Sequence, residues 1–210
     1  MPNETTVACY YFPNYHEDKR NAEVHGPGWS EWELVRRAEP RFAGHRQPLV
    51  PAWGYEDEAD PAVMARKIEA AASHGIDVFL FDWYWYDDGP FLERALDEGF
   101  RGAQNNDRMR FALMWANHDW KHIHPASHLD RVRGPRVLYP GRVTPETFAT
   151  VSEHVIREYF PHPSYWCLDG RPYFSIYELS KFVASFGSVG GACRALDAFR
   201  DRARAAGLPG

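Results

Sequence analysis

Residues 75–89, GIDVFLFDWYWYDDG, constrain the fold more than any other part of the chain. Val78 to Phe81 form an unbroken apolar run rich in β-formers, placed behind a helical segment that closes at Gly75. A strand buried on both faces of a parallel sheet is written this way. The run then changes character: Asp82, Asp87 and Asp88 surround Trp83, Tyr84, Trp85 and Tyr86, where a strand hands over to its loop. Acids at a buried strand end cost free energy unless paired or solvated, whereas a concave site for a polar, ring-shaped ligand needs carboxylates for chemistry and flat faces for stacking. For Asp87 and Asp88 a second reading stays open, in which they only open the next helix.

The rest of the chain alternates around this strand. Val7 to Phe12 form a first strand, ended by Pro13. Residues 14–60 then make a long β1–α1 loop, whose glycines and prolines permit one short helix, starting at Ser30 with a Ser30/Glu33 capping box. Asp60 followed by Pro61 opens a helix that runs to Gly75. Beyond Gly89 the spacing predicts a helix over 90–101, a strand over 110–115, a helix from Thr144 and Pro145 to Pro161, a strand over 172–177 and a helix over about 191–206. The βα unit repeated four times predicts an α/β fold with a parallel sheet and right-handed crossovers.

The four strands end in Asn14 with Tyr15, Asp82 with Trp83, Asn117 with His118, and Tyr177 with Glu178. Chemistry-bearing residues at successive carboxyl ends mark the active face of a (β/α)8 TIM-type barrel, or a doubly wound sheet at its switch point. No GxGxxG or GxxxxGK[ST] follows a strand, which weakens the nucleotide-binding versions. A complete barrel takes eight units and typically ~250 residues, so the expectation is about the first four βα units, the N-terminal half of a single barrel domain.

Composition sets the outer limits. The chain has 210 residues, 44% hydrophobic and 25% charged, which suits one globular domain. A net charge of −5 without a basic block argues against nucleic acid or an anionic membrane as partner. No signal peptide pattern and no long apolar window occur, so a cytoplasmic protein without membrane insertion is expected. Cys9, Cys167 and Cys193 lack CxxC spacing and read as reduced thiols. Aromatic content reaches 15%, with seven of eight Trp between Trp29 and Trp120, as if several loops converged on a stacking site.

The segments YYFPNYH, GWSEWELV, PRFAGHRQPLVPAWGY, HGIDVFLFDWYWYDDGPFLERAL, RFALMWANHDW and RPYFSIYEL together resemble the glycoside hydrolase family 99-like domain, also known as the WbsX-type glycosyltransferase family of polysaccharide biosynthesis clusters. The resemblance runs from about Val7 onward and implies a (β/α)8 barrel acting on bacterial surface glycans (O-antigen or lipopolysaccharide type). A departure accompanies it: the Trp-Asn-Glu-Trp segment usual on a late barrel strand, with its catalytic-region glutamate, is absent from the 210 residues.

Glycosidic bond chemistry needs a proton donor and a second carboxylate. Asp82, Glu178 and Glu31 are the catalytic candidates, with Glu31 also readable as helix N-terminal electrostatics behind Ser30. Tyr11, Trp29, Trp83, Tyr84, Trp115, Trp120 and Tyr177 are candidate stacking faces; Asn14, Asn117, His118 and Asp119 are candidate hydroxyl partners. Alternation along strands requires about half of these rings to point into the helix layer. His118, His122, His124 and His128 invite a metal reading, but Pro125 interrupts them and no carboxylate stands at zincin spacing, so neither metal nor other cofactor is expected. No D-x-D motif occurs, although Asp57-Glu58-Ala59-Asp60 is acidic. The expected function is thus hydrolase-like, with a WbsX-type glycosyltransferase or a truncated, non-catalytic glycan-binding domain as alternatives. Expected partners are a glycan or sugar substrate, plus either the missing carboxyl-terminal half of the barrel or a second copy meeting the exposed edges.

Overall fold

The computed structural model describes residues 5–124 and 133–209. Four parallel strands form the sheet in the order β1 (Ala8–Tyr11), β2 (Val78–Tyr86), β4 (Arg110–Trp115), β9 (Phe174–Ile176). Tyr11 lies beside Phe81, Asp82 beside Met114, and Met114 beside Ser175. Helices α3 (Pro61–Ser73), α4 (Ala95–Phe100, wound as a π-helix), α5 (Pro145–Glu158) and α7 (Val189–Ala205) alternate with these strands and cover one face. This is the βα alternation of a (β/α)8 barrel over four units. Among the described residues, β1 pairs only with β2 and β9 only with β4, so each presents a free edge.

Local chemistry accounts for the helix starts. The Asp60 carboxylate accepts from the Ala62 N–H with Pro61 at the first helical position, and Thr144 caps Thr147 N–H with Pro145 behind it. Gly75 closes the α3 turn at φ +83°, where a side chain would be strained. Strand parity decides the rest. Phe79, Phe81, Trp83, Phe111, Leu113 and Trp115 enter the helix layer with Ile68, Phe100, Phe148 and Phe199. A smaller cluster of Tyr84, Tyr86, Phe91, Leu92, Ala116 and Trp120 fills the space at the carboxyl ends of β2 and β4.

Several elements differ from the sequence expectation. The long loop holds two helices rather than one: α1 (Lys19–His25), capped by Asp18, and α2 (Trp32–Arg36). The Ser30 hydroxyl makes no capping bond; Glu33 instead pairs with Arg36 and Arg37 on its own helix. The helix expected over 90–101 begins late because β3 (Gly89–Phe91) folds back antiparallel on β2. Asp87 and Asp88 therefore sit in a hairpin turn and do not open a helix. Asp87 accepts from Thr144 N–H (2.8 Å) and Thr147 Oγ1 (2.6 Å), and Asp88 pairs with Arg20 (2.9 Å). The hairpins β5 (Trp120–Lys121) with β6 (Val137–Tyr139) and β7 (Cys167–Leu168) with β8 (Arg171–Pro172), and helix α6 (Leu179–Ser185), are additional. Among the described residues no helix is long and apolar enough to cross a membrane.

Candidate functional site

A cleft of about 730 Å3 opens at the carboxyl ends of the strands. Glu31, Asp82 and Glu178 line it, together with Tyr84, His118, Asp119, Trp120 and Tyr177. Asp82 faces the cleft because Phe81 and Trp83, its neighbours on β2, take the helix side. Its Oδ1 is buried without a hydrogen-bond partner among the described residues. Burial alone lifts the carboxyl from its ordinary value of 3.8 to about 6, since no cation or N–H offsets the lost hydration. A carboxyl so placed exchanges protons near neutrality.

Glu31 reaches the cleft from the residue preceding α2 and is held by a chain of amides. Asn14 Nδ2 donates to its Oε2 (2.8 Å), and Asn21 Nδ2 donates to Asn14 Oδ1 (2.8 Å). Both asparagines are buried, so the relay fixes the carboxylate from below and Asn14 is not free to meet a ligand hydroxyl. Asn117 is corrected in the same way. Its side chain donates to the Glu178 carbonyl (2.9 Å) and accepts from the Glu178 N–H (2.7 Å), clamping the start of α6 to the end of β4.

Four expected stacking faces lie elsewhere. Trp83 packs against His154 and Tyr159, and Trp115 against Phe148 and Phe182, so both belong to the helix layer. Tyr11 is also on that side, its hydroxyl donating to Glu58 at 2.6 Å. Trp29 lines a neighbouring hollow rather than the acidic cleft. In the cleft itself, Tyr84 meets Trp120 and His118 edge-on at ring-centre distances of 5.4 and 5.7 Å. Burial, then the nearby Asp82 carboxylate, keeps the Tyr84 phenol well above its usual range, so it stays protonated. Tyr177 is 61% exposed at the rim.

Lys181 went unnoticed in the sequence. It lines the cleft and donates to Asp119 Oδ2 (2.9 Å), while Gly141 N–H donates to Asp119 Oδ1 (2.9 Å). That backbone bond, followed by the Lys181 ammonium, holds the Asp119 carboxyl below its usual value. Gly141 is required because a Cβ there would fall 2.4 Å from the Asn117 carbonyl oxygen. The signal available in sequence was only the Glu178/Lys181 spacing of three on a helix not foreseen. Among the described residues no three of His, Cys, Asp and Glu converge to hold a metal. His122 stacks with His25 (5.8 Å), His124 faces Trp29 (6.1 Å), and His128 lies outside the described residues.

A family model described as glycosyltransferase WbsX matches residues 7–210. The uncharacterized protein WxcX of Xanthomonas campestris pv. campestris is 31% identical over 173 residues, covering 82% of this chain and 24% of that protein, in each of two strains. The chain thus spans about a quarter of the curated relatives it matches. A solved GH99 endo-alpha-mannosidase of Bacteroides thetaiotaomicron, in complex with BIS-TRIS-propane, superposes with a TM-score of 0.51 at 14% identity, covering 87% of this chain and 46% of that one. At that identity the likeness is one of fold.

Proposed function

Because the chain belongs to the WbsX glycosyltransferase family, we propose that it acts on glycans of a bacterial surface polysaccharide and that glycosidic bond chemistry takes place in the acidic cleft. The observation that carries this reading is Asp82, whose Oδ1 has no hydrogen-bond partner among the described residues and whose carboxyl is pushed up to about 6 by burial, in a cleft it shares with Glu31. Protonated, Asp82 gives its proton to the departing glycosidic oxygen; ionised, it takes one from the incoming hydroxyl or water. Glu31, held by Asn14, is the second carboxylate, and Glu178 faces the same space from α6. Tyr177 offers an exposed ring, Tyr84 and Trp120 wall the cleft from a buried cluster, and His118 offers a hydroxyl partner. The acceptor decides between hydrolase and transferase: water in the first, a sugar hydroxyl in the second.

Binding without turnover is the second reading, since the same cleft of carboxylates, rings and hydroxyl partners could hold a glycan without cleaving it. One experiment separates the two. The chain and its Asp82→Asn variant are incubated with aryl glycosides and with sugar nucleotides, and phenolate or nucleoside diphosphate release is followed against pH. Catalysis gives a rate limb near pH 6 and a loss of about 10²–10⁴-fold in the variant. Saccharide binding with no release of either product supports binding alone, and equal rates in the two proteins remove Asp82 from the chemistry.

A further inference from the structure

The acidic cleft has a neighbour. A second hollow of about 690 Å3 lies beside it, and Ile123 and His124 line both, so the two adjoin along these residues. The second hollow has a different character. His25 stacks on Trp29 at 4.2 Å and 22°, and His124 faces the same indole at 6.1 Å, so one tryptophan fixes two imidazoles along the wall. Trp29 is only 9% exposed, which suits a support better than an open stacking face. The opposite wall comes from α2 and the residues after it, including Arg37, Glu39 and Arg41.

Charge in this hollow cancels. Arg37 and Arg41 are matched by Glu33 and Glu39, and Arg37 is already paired with Glu33 at 3.2 Å. Burial comes first in holding the His25 and His124 imidazoles below their ordinary titration range; at His25 the neighbouring histidines add to it, while at His124 the Glu31 carboxylate opposes it and His122 adds to it. Uncharged imidazoles carry one donor and one acceptor each, the pattern that meets a hydroxyl. A phosphate or carboxylate entering here would find no uncommitted pair of cations to offset its lost hydration.

We propose that the second hollow is a binding site for the adjoining, uncharged ring of a linked saccharide, with His25 and His124 as its hydroxyl partners and Trp29 as the residue that positions them. The proposal rests on the sugar-handling reading of the acidic cleft and extends it from one ring to at least two. Its consequence is a length preference: a disaccharide binds better than its single ring, and the gain resides in the second hollow alone.

The test uses the 210-residue chain and matched pairs of methyl glycosides and disaccharides in the gluco, manno, galacto and rhamno series, titrated by NMR. For a pair that binds, the disaccharide is expected to bind about tenfold more tightly than the single ring, equivalent to about 1.4 kcal/mol. The His25→Ala/His124→Ala variant loses this gain and keeps the single-ring affinity. His124→Gln, which retains a donor and an acceptor, keeps part of the gain where His124→Ala does not, and this pair carries the test should the double variant fail to fold. Equal affinity for one and two rings overturns the second site while leaving the first, as does a length gain that survives in the double variant. A larger gain for a disaccharide ending in a uronic acid overturns the uncharged assignment. If no saccharide of the panel binds, the sugar-handling reading itself falls, and this site with it.

Discussion

Two carboxylates, 24 residues apart in sequence, are withdrawn from water and treated in opposite ways. Glu58 is 2% exposed and fully engaged: Tyr11 Oη donates to Oε1 (2.6 Å), Tyr15 N–H to Oε2 (3.3 Å), and the Lys67 ammonium pairs with it. Asp82, across the sheet, has a buried oxygen with no partner among the described residues. Free energy explains why the two cannot have the same purpose. A buried charge surrounded by donors is a cross-link, here tying the long first loop and α3 to β1. A half-buried carboxyl without donors costs the fold stability once ionised and keeps a labile proton, which a reaction can use.

The largest way to break this contrast is to remove a donor from the paired site. Lys67→Met leaves Glu58 charged and buried, and is expected to cost about 3–5 kcal/mol in urea denaturation at neutral pH. Next comes Asn14→Ala, which strands the Asn21 amide and the Glu31 carboxylate together; a stability loss of about 1–3 kcal/mol should accompany weaker turnover. Trp83→Phe, in the helix layer, should cost about 1–2 kcal/mol of stability while leaving saccharide affinity unchanged. A change in affinity would return Trp83 to the site.

The smallest effect has the opposite sign. Because folding raises the Asp82 value from 3.8 to about 6, the native state binds the proton more tightly. Stability from this group is therefore fully present below pH 3.8 and is lost as pH rises through about 6. Asp82→Asn removes that dependence. With the carboxyl partly open to water and its shift discounted for screening, the variant should gain about 1 kcal/mol above pH 6, or roughly 2–4 °C in Tm, and nothing at pH 4. A variant less stable than the parent at pH 8 would show that Asp82 is a paired, structural group.

What was legible in the sequence was short-ranged. Asp60 with Pro61 and Thr144 with Pro145 carry their helix starts within a few residues, and the apolar runs at 78–81 and 110–115 are strands wherever they pack. Parity was half used: with Asp82 facing the cleft, Trp83 had to leave it, and Trp115 shares the register of Trp83. The β2–β3 hairpin had its own signal in Asp87-Asp88-Gly89: the two acids form the turn, and Gly89, at φ +116°, follows them and pairs with Tyr86. Helix α1 likewise had Asp18 ahead of it and Gly26 behind. The Glu58 cluster was not legible at all, because Tyr11 lies 47 residues away and only folding brings it close. Asn14 and Asn117 were rightly placed at strand ends, yet whether an amide meets a ligand or a neighbouring backbone depends on contacts that no local pattern encodes.

Asp82 is a half-buried carboxyl whose Oδ1 has no hydrogen-bond partner among the described residues, with a proton to exchange near neutrality. Carbon-detected NMR titration of its side-chain carboxyl, assigned by comparison with Asp82→Asn, measures this directly. An inflection near pH 6 is expected. An inflection at or below the ordinary 3.8 would show the group to be solvated or paired, and would contradict it.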